Sequence, residues 1–262
     1  MTVAAFEWLG SGNNLRFILE GFLINLQIAL VAIVLALVAG LVLALARLSR
    51  NRFVSVVAGA WVDVFRNLPL LLLILFLFLW IPESARTAWE RVIPGWAPEA
   101  WQSGLMLAGL SGLVLYNSAV LAEIMRAGIL SLPRGQAEAA SALGLSYRQS
   151  MWHVILPQGL RRMVPATVSQ LITLNKDTTL VSIIAIIEVM RRARTVTATS
   201  GNPFTGGGVE APILEVFLFV GLLFIIVNFS LSRLSKRLEI RERERTGAAP
   251  KPKVRGLEEQ VA

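Results

Sequence analysis

The sequence predicts an all-α integral membrane protein: five transmembrane helices, with a two-helix cytoplasmic loop between the third and the fourth. Three observations predict it. Hydrophobic residues make up 55% of the chain and charged ones only 16%. Several uncharged runs are long enough to cross a bilayer. The basic residues cluster in the segments that join these runs. A core that is merely hidden from water does not need so much unbroken apolar sequence.

The first span covers residues 21–46, which carry no charge. Ala32, Ala36, Gly40 and Ala44 recur at every fourth position of it. Small residues at that spacing let helix backbones approach closely in lipid, either within one subunit or along a dimer seam. Ahead of it, the first basic residue is Arg16. That predicts a short mature N-terminus rather than the positive start of a cleavable signal peptide. The second span, 54–81, reads through Arg66 into NLPLLLLILFLFLWIP and is expected as one long helix kinked at Pro69. The third covers 104–126. The fourth, 163–187, is interrupted by Lys176 and Asp177, and the fifth covers 212–233. Together, residues 1–238 form a single transmembrane domain. Residues 239–262 form a charged cytoplasmic tail expected to fray and then lose structure.

Arg47, Arg50, Arg52 and Arg66 follow the first span. Arg126, Arg134, Arg148, Arg161 and Arg162 lie between the third and fourth, and the segment after the fifth is rich in Arg and Lys. Their distribution places the N-terminus outside and the C-terminus in the cytoplasm, with Arg191, Arg192 and Arg194 as a local exception. The net charge of +8 is a topology signal here rather than a nucleic-acid surface, so no nucleic-acid partner is expected. Cysteine is absent, which removes disulfides and thiolate chemistry. His153 is the single histidine and no HExxH pair exists, so neither a metal site nor a catalytic residue is expected. No internal repeat appears, which argues against a carrier built from two inverted halves in one chain.

The loop between the third and fourth spans, about 131–160, is helical in composition rather than linker-like. A loop of that length is usually functional. Residues 136–143 are good helix formers, and Gly144 stands where a left-handed C-terminal residue fits. Ser146 and Gln149 have the spacing of a capping box for a second helix, which Pro157 and Gly159 are expected to end.

The stretch EAASALGLSYRQSMWHVILPQ, residues 138–158, resembles the EAA loop of ABC importer permeases. Glu138, Ala139, Ala140, Gly144, Ile155, Leu156 and Pro157 stand in the signature positions. AEIMRAGILSLPRGQAEAA (122–140), LNKDTTLVS (174–182) and VFRNLPLLL (64–72) are similar to the polar amino acid branch of that family, which includes histidine, glutamine and glutamate permeases. The resemblance implies a type I ABC importer fold in the bacterial inner membrane. It also implies a second permease subunit, the same or homologous, two cytoplasmic ATPase subunits that receive the loop in a groove, and an extracytoplasmic amino-acid-binding protein. No cofactor is expected in this chain. ATP and Mg would sit on the ATPase partner, since the sequence contains no GxxxxGK[ST] phosphate loop. The KDTTLV and FRN…PLLL segments point to glutamate or aspartate as the cargo. A self-sufficient channel or ion-coupled carrier is the alternative function.

Charges inside spans cost about 2.5 to 3.5 kcal/mol each on insertion scales, so Lys176 and Asp177 need an explanation. One is a substrate pathway in which they complement a zwitterionic amino acid, with Thr178, Thr179 and Asn117 adding polar groups. The other is a structural network in which Arg126 or Arg66 pairs with Asp177. Glu123 and Arg126, three residues apart, read as a structural ion pair. Trp80, Trp89, Trp96 and Trp101 around the second outer connection fit an interfacial belt or a docking surface for the binding protein.

Overall fold

The computed structural model describes residues 7–10, 13–199 and 212–246, and these are helical almost throughout. Helix α1, Asn14–Arg47, has 34 residues. It rises about 51 Å and so overshoots the apolar thickness of a bilayer at both ends. Ala32, Ala36, Gly40 and Ala44 are all buried on it, and Gly40 lies against Ser118, Leu121 and Ala122. The small-residue stripe therefore serves a seam inside this chain.

The next two helices correct the sequence reading. Arg52–Asn67 (α2) and Leu70–Trp80 (α3) do not form one kinked span but meet at 103°. The cause is local. A proline disfavours helical geometry in the residue before it, and Leu68 accordingly adopts an extended conformation at φ −76°, ψ 139°. The helix is thus broken before Pro69 rather than bent at it. Asn51 caps the start of α2, accepting from the backbone N–H groups of Phe53 and Val54. Helix α4, Glu83–Val92, and a helical turn at Glu99–Gln102 make the connection to α5, Leu105–Leu130. In that connection Trp89 donates to the Trp101 carbonyl at 2.8 Å and Trp101 to Gln27 Oε1 at 2.9 Å. Trp80 and Trp96 are exposed.

Helix α6, Arg134–Ala142, ends before Gly144; a helical turn at Tyr147–Ser150, a wider π turn at Met151–Ile155 and α7, Leu156–Asp177, then follow one another without a break. Pro157 and Gly159 do not end the second loop helix, contrary to expectation. In the π turn the Leu156 N–H reaches back five residues to the Met151 carbonyl. That wider ladder carries the chain past Pro157, which has no N–H to donate. The fourth expected span also ends early. After Asp177 the chain tightens into a 3-10 segment, Thr178–Ile184, and reverses at Ala185, whose φ is 65°. Hydroxyls supply what the helix end leaves unpaired: Thr178, Thr179 and Ser182 each donate to the carbonyl three residues back, at 2.7 to 2.8 Å. Helices α8, Val189–Thr199, and α9, Ile213–Thr246, complete the described chain. The tail expected to begin at residue 239 continues α9 to Thr246, and residues 247–262 lie outside the described residues.

Among the described residues, α1, α5 and the stretch Ile213–Glu242 are each long and apolar enough to cross a membrane, and α2 with α3 makes a fourth only as a bent pair. The expected count of five rested on α7, which carries Arg161, Arg162, Gln170 and Lys176 and is amphipathic. Three apolar clusters occur among the described residues; one packs the ends of α1 and α2 against α5 and α7 through Ala44, Val62, Ala122 and Met163, and the other two hold the rest of the bundle together. The larger joins α1, α3, α5 and the end of α7 through Ile28, Ile74, Met106, Leu113, Leu121 and Leu174. The second joins the start of α1 to α8 and α9 through Ile18, Phe22, Val189, Ala193 and Val216.

Candidate functional site

The loop between α5 and α7 is built from local signals that satisfy one another. Helix α6 ends in a Schellman motif, in which Leu145 N–H donates to the Ala140 carbonyl at 3.1 Å and Gly144 N–H to Ser141 at 3.0 Å. That motif needs a left-handed residue, and Gly144 has φ +78° with open space around it. Ser146 and Gln149 then form the capping box, with the Gln149 side chain accepting from Ser146 N–H at 2.9 Å. Glu138 and Ala139 are exposed while Ala140 is buried, and at the tip Leu143 is 81% exposed. Ile155 is half-buried, Leu156 buried and Pro157 exposed on the second helix.

This loop is tied to the bundle at several points. Gln158 donates to Gln136 across its two helices at 3.1 Å, and Arg162 donates to the Ser131 carbonyl at 2.7 Å. Tyr147 donates to the Leu48 carbonyl just beyond α1 at 3.3 Å. A Cβ on Gly159 would come within 2.7 Å of Ile129 Cγ1. The backbones of α5 and α7 touch there, so displacement of the loop helices is passed to both.

Beside this lies an ionic knot. Glu123 is paired with Arg126, as the sequence suggested, but it also receives Arg47 at 2.7 Å, and Arg47 reaches Asp63 at 3.4 Å. Arg47 thereby joins the ends of α1, α2 and α5. Arg126 is committed to Glu123 and is not the partner of Asp177, which forms no ion pair among the described residues. Lys176 is exposed and Asp177 half-buried, on different faces of the last turn of α7.

Two other proposed pathway residues sit elsewhere. Asn117 is fully buried between α5 and α7, donating to the Leu113 carbonyl and accepting from Gln170 at 2.7 Å. Thr178 is also fully buried, against Asn25, while Thr179 is half-buried and donates to the Lys176 carbonyl. The sequence reading missed Asn25 and Glu188, and both are fully buried. Asn25 donates to Thr178 Oγ1 at 2.9 Å and Glu188 Oε2 at 2.8 Å, and accepts from Val189 N–H at 3.0 Å. Glu188 in turn caps α8 by accepting from Arg191 N–H at 2.9 Å. The available signal was an asparagine in an otherwise apolar span, since such a residue usually binds a neighbouring helix.

No cluster of His, Cys, Asp or Glu suited to a metal ion occurs among the described residues. Residues 32–244 match the family described as "binding-protein-dependent transport system inner membrane component". The probable glutamine ABC transporter permease protein GlnP of Bacillus subtilis is 36% identical over 88% of this chain and 96% of its own. The glutamate/aspartate import permease protein GltK of Escherichia coli O157:H7 is 33% identical over 90% of this chain and 98% of its own. Among solved structures, an amino acid ABC transporter crystallised with histidines has a chain 26% identical, with a TM-score of 0.70, over 92% of this chain and all of that one. The chain therefore belongs to the family of binding-protein-dependent transport system inner membrane components.

Proposed function

We propose that this chain is the membrane permease subunit of an ATP-driven importer of polar amino acids. In this reading it pairs with a second permease subunit, receives its cargo from an extracytoplasmic binding protein and is powered by two ATPase subunits that bind ATP and Mg. Its N-terminus lies outside and the α6–α7 loop in the cytoplasm, on the side favoured by the basic residues. The relatives named for glutamine and for glutamate/aspartate support a polar amino acid as cargo.

The observation that carries the reading is the loop. Its tip presents Leu143 and the small residues Ala139, Ala142 and Gly144 to the exterior, a shape suited to a groove on another chain. Behind that tip the helix is continuous from Tyr147 to Asp177, a rod about 46 Å long. Movement of the tip by an ATPase is thus delivered to Lys176 and Asp177 at the rod's far end. These two residues, with Thr179 beside them, carry opposite charges to match an ammonium and a carboxylate. Asn117 and Thr178 act in this reading as the packed support behind them.

The test is reconstitution into vesicles with an ATPase chain, candidate binding proteins and a panel containing glutamine, glutamate, aspartate and arginine. ATP-dependent uptake of one of them is the expected result. Uptake that persists without any ATPase chain would instead make the protein a self-sufficient channel or ion-coupled carrier.

A further inference from the structure

Between the loop helices and the ends of α1 and α5 lies an open cleft of about 640 Å³. Arg50 and Arg134 line it, both are exposed, and neither has a carboxylate within ion-pair distance among the described residues. The Arg50 guanidinium lies 4.1 Å from the centre of the Tyr147 ring, which fixes its direction. Ser150 also lines the cleft. It is 94% buried, since only 6% of it is exposed, and its hydroxyl has no hydrogen-bond partner. Pro133 starts α6 at the cleft wall and offers no side-chain cap, so the first-turn N–H groups add positive potential. The remaining wall is apolar: Ile129, Leu130, Met151 and Ile155, with Leu130 at the end of a span and 58% exposed.

We propose that this cleft binds the headgroup of an anionic phospholipid. Two guanidiniums free of ion pairs match a phosphodiester, and the wall continuing to the end of α5 matches the first methylenes of an acyl chain. A free phosphate would make no use of that apolar wall. The occupied cleft links the loop helices to the ends of α1 and α5 through a lipid, whatever amino acid is carried. The inference uses the placement of the loop at the cytoplasmic surface but not the identity of the cargo.

The experiment uses the full chain, delipidated in detergent and offered an equimolar mixture of phosphatidylglycerol and phosphatidylcholine, with retained lipid counted by native mass spectrometry. Phosphatidylglycerol is expected to be enriched. Each of Arg50→Gln and Arg134→Gln is expected to weaken its retention about five-fold, and the pair about thirty-fold. Arg50→Lys with Arg134→Lys is expected to keep most of it. Lys236→Gln with Arg237→Gln removes the same charge from exposed positions of α9 and is expected to change nothing. Either single glutamine variant, Arg50→Gln or Arg134→Gln, decides the matter if the double one is not recovered. Equal retention of the two lipids, or full retention by the glutamine variants, overturns the proposal. Complete displacement by inorganic phosphate would assign the cleft to a soluble anion, and loss of the lipid on adding the ATPase chain would assign it to that partner. The uptake assay reads the transport function separately, so failure here leaves that function untouched.

Discussion

Replacing Asn25 by Leu keeps the number of side-chain heavy atoms but removes the buried amide that joins α1 to the start of α8, leaving Arg192 still donating to the Phe17 carbonyl and to Glu20. Thr178 keeps a partner, because its hydroxyl still donates to the Asn175 carbonyl at 2.7 Å. Two groups do not. Glu188 Oε2 loses its donor and Val189 N–H loses its acceptor, and both residues are fully buried. A hydrogen bond to a charged group is worth about 1.5–3 kcal/mol, and an orphaned buried N–H costs about 1–3 kcal/mol. Interhelical hydrogen bonds in membrane bundles average only about 0.6 kcal/mol, which pulls the expectation towards the low end. We expect a loss of about 3 kcal/mol, which for a chain of this size lowers Tm by roughly 6–12 °C. The assay is thermal melting of the detergent-purified chain, read as loss of the monodisperse chromatographic peak. Gln27→Leu serves as the control, because it removes one hydrogen bond at an exposed side chain. Glu188→Gln should sit between the two, since its amide can still meet Asn25. If Asn25→Leu melts with the parent, the amide does not hold α8 to α1 and the reasoning fails.

Gly144→Ala is expected to cost about 1–2 kcal/mol through its backbone alone, as the surrounding space is open. Gly144→Asn, which tolerates the same backbone, should recover part of that in the same melting assay. Gly144→Asp should leave the chain inserted yet uncouple ATP hydrolysis from uptake; full uptake by reconstituted vesicles would contradict the coupling role. In a double-mutant cycle, Arg47 and Glu123 should couple by about 1 kcal/mol and Arg47 and Asp63 by less, because Asp63 is half in solvent and its contact is longer. Lys176→Ala and Asp177→Asn should lower uptake at least about tenfold with little change in melting, given that neither forms an ion pair among the described residues. A fall in Tm with uptake preserved would place them in a structural network instead.

What could be read in advance follows how far apart the interacting residues lie. The Schellman turn at Gly144, the capping box of Ser146 and Gln149, and the Glu123–Arg126 pair each close within three to five residues, and the structure contains all three. Pro69 reads as a disruption, but its effect on Leu68 makes a 103° break of the expected kink. Pro157 reads as a helix end, and a single π turn absorbs it. A lone proline in the sequence does not say which of these outcomes its neighbours will allow.

The sequence by itself determined that the chain is helical and lies in a membrane, and where its glycine-split loop falls. Uncharged runs, helix caps and turn residues act on their own neighbours and need no fold to be effective. Only the tertiary structure decided which polar residues face one another. Asn25 meets Glu188 across 163 positions, and Asn117 meets Gln170 across 53. The ionic knot depends on Arg47 reaching Glu123 across 76. Asn25, Glu188 and Asn117 pair as they do because burial leaves their polar atoms no water to bind, so each takes whichever partner the packed helices bring within reach.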